Sequence, residues 1–458
     1  MAQKENCGHV LFLPYPSQGH INPMLQFAKR LASYNLRCTL AVTRYILSST
    51  HPTPGPVHLA PISDGFDRVG FSGADSSKAY LARLESAGSE TLDALLRSES
   101  AASRPVQVVV YDAFLPWAQP VARRRGAAAA AFFTQSCAVD AIYAQVWEGK
   151  VKVPVESGPV ELTSLPPLEL EDLPSFLPGS GVYAAYFVMV LEQFKGLETA
   201  DEVFVNSFYE LEPEEAKYMS STWRAKTVGP TVPSFYLDNR LPSDDAYGFH
   251  LFTPTNIPCI SWLDSKPPHS VVYVSFGSMT VLSPAQISEL AHGLLNSNKT
   301  FLWVVRSSEA SKLPEDFLEK SKERGIVISW SPQLEILAHE AVGCFFTHCG
   351  WNSTMEGISL GVPMVAMPDW TDQPTNAKYV EGVWGVGVRL KAECGGGGEG
   401  LVRREEVERC VREVMEGERS GEYRRRAEEW REKAKAAVGE GGSSDRNIIE
   451  FVAKYGSK

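Results

Sequence analysis

The chain alternates short apolar runs with segments of helical period, and it does so in two separate series. Residues 10–14 form a nearly continuous apolar run of strand length. Behind it Ile21, Met24, Leu25, Ala28, Leu31 and Ala32 recur at the spacing of one helix face, which places Pro23 in a first turn, where a missing N–H costs little. Residues 38–43 and 106–111 are further strands. Strands that are apolar on both faces and separated by helices suit a parallel sheet covered on both sides. The second series runs through strands at 271–276, 300–305, 326–329, 343–347 and 363–367, with helices at 284–297 and 351–360. Between the two series lies a polar stretch broken by prolines, with the character of a linker. The predicted organisation is α/β, with two doubly wound domains. A first domain covers 1–236, a linker 237–256, a second domain 257–440, and a closing helix 441–458 returns to the first domain. Residues 151–182 read as an irregular excursion and 395–398 as a glycine loop. A charged helical region at 403–438 precedes an amphipathic segment carrying Ile448, Ile449, Phe451 and Val452.

A length of 458 residues exceeds what one core usually organises, in keeping with two domains. A formal charge of -11 opposes binding to phosphate backbones or anionic lipid, so neither nucleic acid nor membrane is an expected partner. The basic runs 123–125 and 424–426 lie among helix formers and read as solvated helix faces. The eight cysteines show no zinc-ligand spacing, and free thiols of a reducing compartment are expected. The N-terminus has too short an apolar segment for a signal peptide, and no run reaches membrane-spanning length. These features predict a cytoplasmic monomer.

Chemistry concentrates in residues 330–373. The strand at 343–347 ends in a glycine-containing turn, and a helix starts near Trp351. The unpaired N–H groups and positive end of such a helix suit an anion, with His348, Asn352 and Ser353 as side-chain donors. A diphosphate would fit there. Glu356, one helical turn beyond Asn352, has the acceptor geometry for two adjacent ribose hydroxyls. Trp330 can present an indole face to a flat base. Taken singly these readings compete with ordinary ones: a lone Trp is commonly core, and such a turn is commonly only a helix cap. Cys349, Trp351 and Met355 each also read as packing residues.

In the first series the strand at 10–14 leads through Tyr15-Pro16-Ser17-Gln18-Gly19 to His20, and the strand at 106–111 ends at Asp112. Both lie at the carboxyl ends of predicted parallel strands, where open α/β sheets place their ligands. A helix N-terminus beside His20 favours the neutral imidazole that a general base requires. Asp112 on one ring nitrogen would set the tautomer. Alone, His20 also reads as a turn residue and Asp112 as a helix cap.

The segment 330–373, with Trp330, Gln333, His348-Cys349-Gly350-Trp351-Asn352-Ser353, Glu356 and Asp372-Gln373, resembles without a gap the signature of the plant family 1 UDP-glycosyltransferases, which act on secondary products. The resemblance extends over nearly the whole chain. It implies a GT-B arrangement, two Rossmann-like domains facing a cleft, with the acceptor on the first and the UDP-sugar on the second. It implies Trp330 on uracil, Gln333 and Glu356 on ribose, and Ser278, His348, Trp351, Asn352 and Ser353 around the diphosphate. Asp372 and Gln373 match the pair that holds the sugar hydroxyls, and the final Gln implies glucose. His20 and Asp112 match the family's catalytic dyad, and Phe114 and Trp370 its acceptor-side positions. One departure is Gly19, where some relatives carry a hydroxyl residue that reaches the phosphate. Tyr15 to Pro23 and Ile62-Ser63-Asp64-Gly65-Phe66 resemble the subgroup that includes salicylate, auxin, terpenoid and trichothecene glucosyltransferases.

The implied reaction is a single inverting displacement from UDP-glucose to a hydroxyl or carboxyl of a small apolar acceptor, phenolic, terpenoid or carboxylic. The sequence contains no Asp-x-Asp triplet to hold a cation, so neither a metal nor another cofactor is expected, and UDP-glucose enters as co-substrate. A dinucleotide-dependent oxidoreductase would need Gly-x-Gly-x-x-Gly after the first strand, and a serine hydrolase Gly-x-Ser-x-Gly at a strand-helix elbow; neither motif stands in its required place. A non-catalytic UDP-sugar-binding protein is the alternative of a different class, and UDP release in the presence of acceptor distinguishes it.

Overall fold

The computed structural model of the chain describes residues 8–179, 184–249, 259–393 and 400–456. The glycine run 395–398, Cys7, Cys394, residues 180–182 of the excursion and 250–256 of the linker lie outside the described residues. The chain divides into two compact units: residues 1–170, 176–251 and 435–458 form the first, and 171–175 with 252–434 form the second.

The first unit is built on seven parallel strands: β1 (His9–Leu13), β2 (Arg37–Thr43), β3 (His58–Ile62), β4 (Val108–Asp112), β5 (Ala128–Phe133), β6 (Glu202–Val205) and β7 (Ala225–Thr227). Their order is β3-β2-β1-β4-β5-β6-β7. The order reverses between β1 and β4, and a doubly wound sheet binds its ligands beyond the strand ends at that point. Every residue of β1 and β4 is buried, as a sheet covered on both faces requires.

The helix Gln18–Ala32 follows β1 and buries Ile21, Met24, Leu25, Phe27 and Ala28 against it. It starts earlier than its apolar period indicates. Pro23 is therefore its sixth residue, in the second turn, and forgoes a bond to the Gly19 carbonyl that an N–H there would make. The helix Ser443–Tyr455 belongs to the same unit: the ring of Phe451 lies 5.4 Å from Phe204 and 6.4 Å from Phe27, all fully or almost fully buried.

The second unit carries six parallel strands, β8 (Val271–Ser275), β9 (Thr300–Val304), β10 (Gly325–Ile328), β11 (Val342–Thr347), β12 (Met364–Ala366) and β13 (Gly387–Arg389), in the order β10-β9-β8-β11-β12-β13. Helices Pro284–Asn296 and Arg404–Glu416 pack together on one face, and a Cβ on Gly293 would come within 2.5 Å of the Val407 Cβ, so a glycine is needed at that approach. The charged region at 403–438 is two helices, Arg404–Glu416 and Ser420–Val438, parted at Gly417. Residues 171–175 of the excursion join this unit through ion pairs from Asp172 to Arg389 at 2.7 Å and to Lys378 at 3.1 Å. Among the described residues no helix is long and apolar enough to cross a membrane.

Phe451→Ala removes a fully buried ring and should destabilise the first unit by about 3–5 kcal/mol. Urea unfolding followed by far-UV circular dichroism measures this, and an unchanged transition would show that the last helix adds nothing to that core.

Candidate active site

In the first unit Asp112 closes β4, and β1 leads through residues 14–17 into the helix whose third residue is His20. Because β1 and β4 are paired, with Leu13 opposite Tyr111, residues distant in sequence meet beyond their ends. His20 Nδ1 lies 2.7 Å from Asp112 Oδ2. An ionised carboxylate can only accept, so this contact puts the proton of the neutral ring on Nδ1 and leaves the lone pair on Nε2. Asp112 also accepts from the backbone N–H of Tyr15 at 3.2 Å and of Phe114 at 3.1 Å. Three donors thus fix a carboxylate that is 1% exposed, while the His20 side chain keeps 16% of its surface open.

Thr134 and Tyr15, which sequence reasoning did not single out, complete this half together with Phe114. Thr134, just after β5, puts its hydroxyl 3.1 Å from His20 Nδ1; its place at a strand end, like that of Asp112, was the available signal. Tyr15 and Phe114 flank the imidazole, with ring centroids 5.3 and 5.0 Å from it. Burial, with Tyr186 and Asp112 nearby, pushes the Tyr15 phenol well above its usual range, so it stays protonated. Tyr80 is buried in the core, stacking on Phe66 and donating to Asp64 at 3.0 Å. Phe114 therefore stands beside His20, as an acceptor-side residue would. Trp370, its expected counterpart, belongs to the second unit.

In the second unit the expected donor residues come from the loops beyond β8, β10, β11 and β12. Partly buried Trp330 and the start of the helix Gln333–Leu337 follow β10. Gln333 Nε2 donates to Ser353 Oγ at 3.0 Å and to Glu356 Oε2, while its carbonyl accepts from the Tyr273 hydroxyl at 3.0 Å. Gln333 and Glu356 are thereby held side by side, as a pair sharing two ribose hydroxyls must be. Tyr273 supports them from within β8, and nothing in the sequence distinguishes it from a core residue.

After β11 the turn His348-Cys349-Gly350 delivers the helix Trp351–Leu360. Cys349 adopts φ +62, a left-handed conformation that costs a residue with a side chain about 1–2 kcal/mol. Bonds from Cys349 N to Thr347 Oγ1 and from Asn376 Nδ2 to the Cys349 carbonyl hold it. The His348 ring lies against Gly277 and Gly350, and a Cβ at either would come within 2.8 Å of it. Burial, then the charge of Arg306, lower the His348 pKa to about 4, so near neutral pH the imidazole is uncharged. Cys349, Trp351 and Met355 are buried, and Trp351 packs its ring against Trp384, 6.2 Å away. Asn352 and Ser353 follow in the first turn, and Ser278 lies three residues beyond β8.

Beyond β12, Gln373 opens the helix Gln373–Lys378, and its side-chain carbonyl accepts from the N–H groups of Asp369 and Trp370. That orientation leaves its NH₂ as the group a sugar hydroxyl would meet. The Asp372 carboxylate accepts from the Thr371 hydroxyl at 2.6 Å, the Asn376 amide at 2.7 Å and the Trp351 N–H. Burial pushes its pKa up against these donors. It thus ties two helix starts together, with its own backbone N–H as a fourth donor. Among the described residues no cluster of His, Cys, Asp and Glu is arranged to hold a metal ion.

Known proteins resemble the chain in sequence and in fold. The sequence profile of the family described as UDP-glucoronosyl and UDP-glucosyl transferase matches residues 244–419. UDP-glycosyltransferase 79 of Oryza sativa subsp. japonica is 52% identical over 99% of this chain and 98% of its own length. UDP-glucosyltransferase UGT13248 of Hordeum vulgare subsp. vulgare is 52% identical over 98% and 94%. The crystal structure of Os79 from O. sativa in complex with UDP superposes with a TM-score of 0.91 at 52% identity, covering 97% of this chain and 100% of that one. The same protein in complex with U2F and trichothecene gives 0.88 at 50% identity, with the same coverage. The chain belongs to the plant family 1 UDP-glycosyltransferases, enzymes of the GT-B fold.

In the ligand-free protein the His348 ring should titrate near pH 4 when followed by NMR, with the resonance assigned through His348→Asn. UDP should move that midpoint upward, since a diphosphate favours the imidazolium. A ligand-free midpoint at or above 6 would contradict the uncharged imidazole.

Proposed function

We propose that the enzyme transfers glucose from UDP-glucose, with inversion, to a hydroxyl or carboxyl group of a small, mostly apolar acceptor. The observation that carries this reading is the 2.7 Å contact between His20 Nδ1 and Asp112, which leaves Nε2 as the proton acceptor. In this mechanism Nε2 removes the acceptor's proton as the oxygen attacks the anomeric carbon of UDP-α-glucose from the face opposite UDP. The carbon–oxygen bond to UDP breaks, UDP leaves with that electron pair, and a β-glucoside or β-glucose ester results. Asp112 holds the tautomer and stabilises the imidazolium that forms.

The first unit supplies the acceptor side, with Phe114 and Tyr15 as apolar surface, and Trp370 is assigned to the acceptor from the second. The second unit supplies the donor side: Trp330 for uracil, Gln333 and Glu356 for ribose, and Ser278, His348, Asn352, Ser353 and the Trp351 helix end for the diphosphate. Asp372 and Gln373 serve the sugar. Relatives named for glucosyl transfer, and an Os79 complex with a trichothecene, support glucose as the sugar and a small organic acceptor. The enzyme is proposed to act as a monomer. The described cysteines, all buried and unbridged, suit the cytoplasm, where a role in plant secondary metabolism is proposed.

His20→Ala should lower kcat/KM about 10²- to 10⁴-fold with an alcohol acceptor, because the alcohol holds its proton at neutral pH. A carboxylic acid of similar shape is already ionised and should retain more activity, and Asp112→Asn should follow the same order with a smaller loss. Equal fractional losses on both acceptors would assign His20 to positioning alone.

The leaving diphosphate is proposed to be stabilised by a helix end and His348, in a sequence without Asp-x-Asp, so turnover in EDTA should match turnover in Mg²⁺. Activity that vanishes in EDTA and returns with Mg²⁺ or Mn²⁺ would contradict this.

A further inference from the structure

The loop beyond β8 carries Ser278, and little apolar burial holds it in place. Met279 and Val281 are 62% and 65% exposed, and Gly277 takes φ +68 where the strand turns out of the sheet. The loop is restrained by cations from the segment after β9, the neighbouring strand. The guanidinium of Arg306 donates to the carbonyls of both Ser278 and Thr280, and Lys312 Nζ donates to the Leu282 carbonyl at 2.8 Å. The two cations differ in their charge partners. Lys312 pairs with Glu309 at 2.6 Å, whereas both partners of Arg306 are carbonyls, so among the described residues no carboxylate neutralises it.

On the other side of β8 stands β11, whose turn brings His348 against Gly277. Arg306 acts electrostatically on that imidazole, lowering its affinity for a proton. One guanidinium therefore restrains the Ser278 loop and places an uncompensated positive charge within reach of His348. A partly buried cation without a counter-ion is costly until an anion arrives. The planar guanidinium reaches the two carbonyls from two separate nitrogens in fixed geometry, which the single nitrogen of a lysine does not reproduce.

We propose that Arg306 is a positioning residue for the donor diphosphate, holding the Ser278 loop in its binding conformation and contributing positive potential where the phosphates sit. The proposal rests on the reading of the second unit as the UDP-sugar site. Arg306 would act before chemistry, through the loop and the field, without touching the reacting atoms.

The test compares uridine with UDP as ligands of the full-length enzyme, by calorimetry, in wild type, Arg306→Met and Arg306→Lys. Arg306→Met should weaken UDP about 10- to 100-fold and raise KM for UDP-glucose similarly, the scale of charge-assisted hydrogen bonds. Uridine affinity and acceptor KM should change less than about threefold, and circular dichroism should show an intact fold. Arg306→Lys keeps the charge and loses the two-carbonyl clamp, so it should fall between wild type and Arg306→Met. If the methionine variant does not fold, the lysine variant must still lose UDP selectively over uridine. UDP binding within twofold of wild type in the folded variants would overturn the proposal. Equal losses for uridine and UDP would overturn it too, reassigning Arg306 to general stability. Wild-type enzyme that binds UDP no better than uridine would instead sink the donor-site reading itself.

Discussion

The hydrogen-bonded pairing of β1 with β4 is the constraint on which the proposed chemistry depends. These strands meet only because the chain leaves β1, builds β2 and β3 on one side, and returns to lay β4 on the other. A parallel strand has one polarity, so the residues just after β1 and those that end β4 emerge at the same edge. His20 and Asp112 arrive there from opposite sides of the switch point, and Thr134 arrives beyond the next strand, β5. The second unit repeats the device: β9, β8 and β11 are consecutive neighbours, and their ends deliver Arg306, Ser278 and His348.

Much of the site is held by polar restraints, as surfaces that must stay open to ligands require. Cys349 and Thr371 both take left-handed conformations, each two residues before a helix whose start is assigned to the donor. Neither is a glycine, so each stores strain that its surroundings must offset. For Thr371 the offset is a reciprocal pair of bonds with Ser175, N–H to hydroxyl and N–H to carbonyl. This gives residues 171–175 a role: a short piece of the excursion braces the loop of Asp372 and Gln373.

The two aspartates show how one side chain type serves different ends. Asp112 and Asp372 are both buried, and they accept from three and four donors of their own units. Asp112 spends one of those bonds on an imidazole and so sets a tautomer. Asp372 spends its bonds on backbone and neighbours and so sets the spacing of two helix starts. Preorganisation of this kind lets a polar site act without rearranging as charge develops.

The sequence by itself determined the two parallel α/β series, because strands buried on both faces must be apolar throughout and their helices must repeat near 3.6 residues. It also determined the local run from Trp330 to Gln373, whose turn and helix start depend on neighbours in the chain. Helix starts were less legible: Pro23 pointed to a first turn, yet the helix begins at Gln18, since an apolar period reports the buried face and not the exposed turn before it. Only the tertiary structure decided which solitary polar residues matter. Thr134, Tyr273 and Arg306 each look ordinary along the chain. They acquire roles because strand order, set by long-range pairing and core packing, places them beside His20, Gln333 and the Ser278 loop.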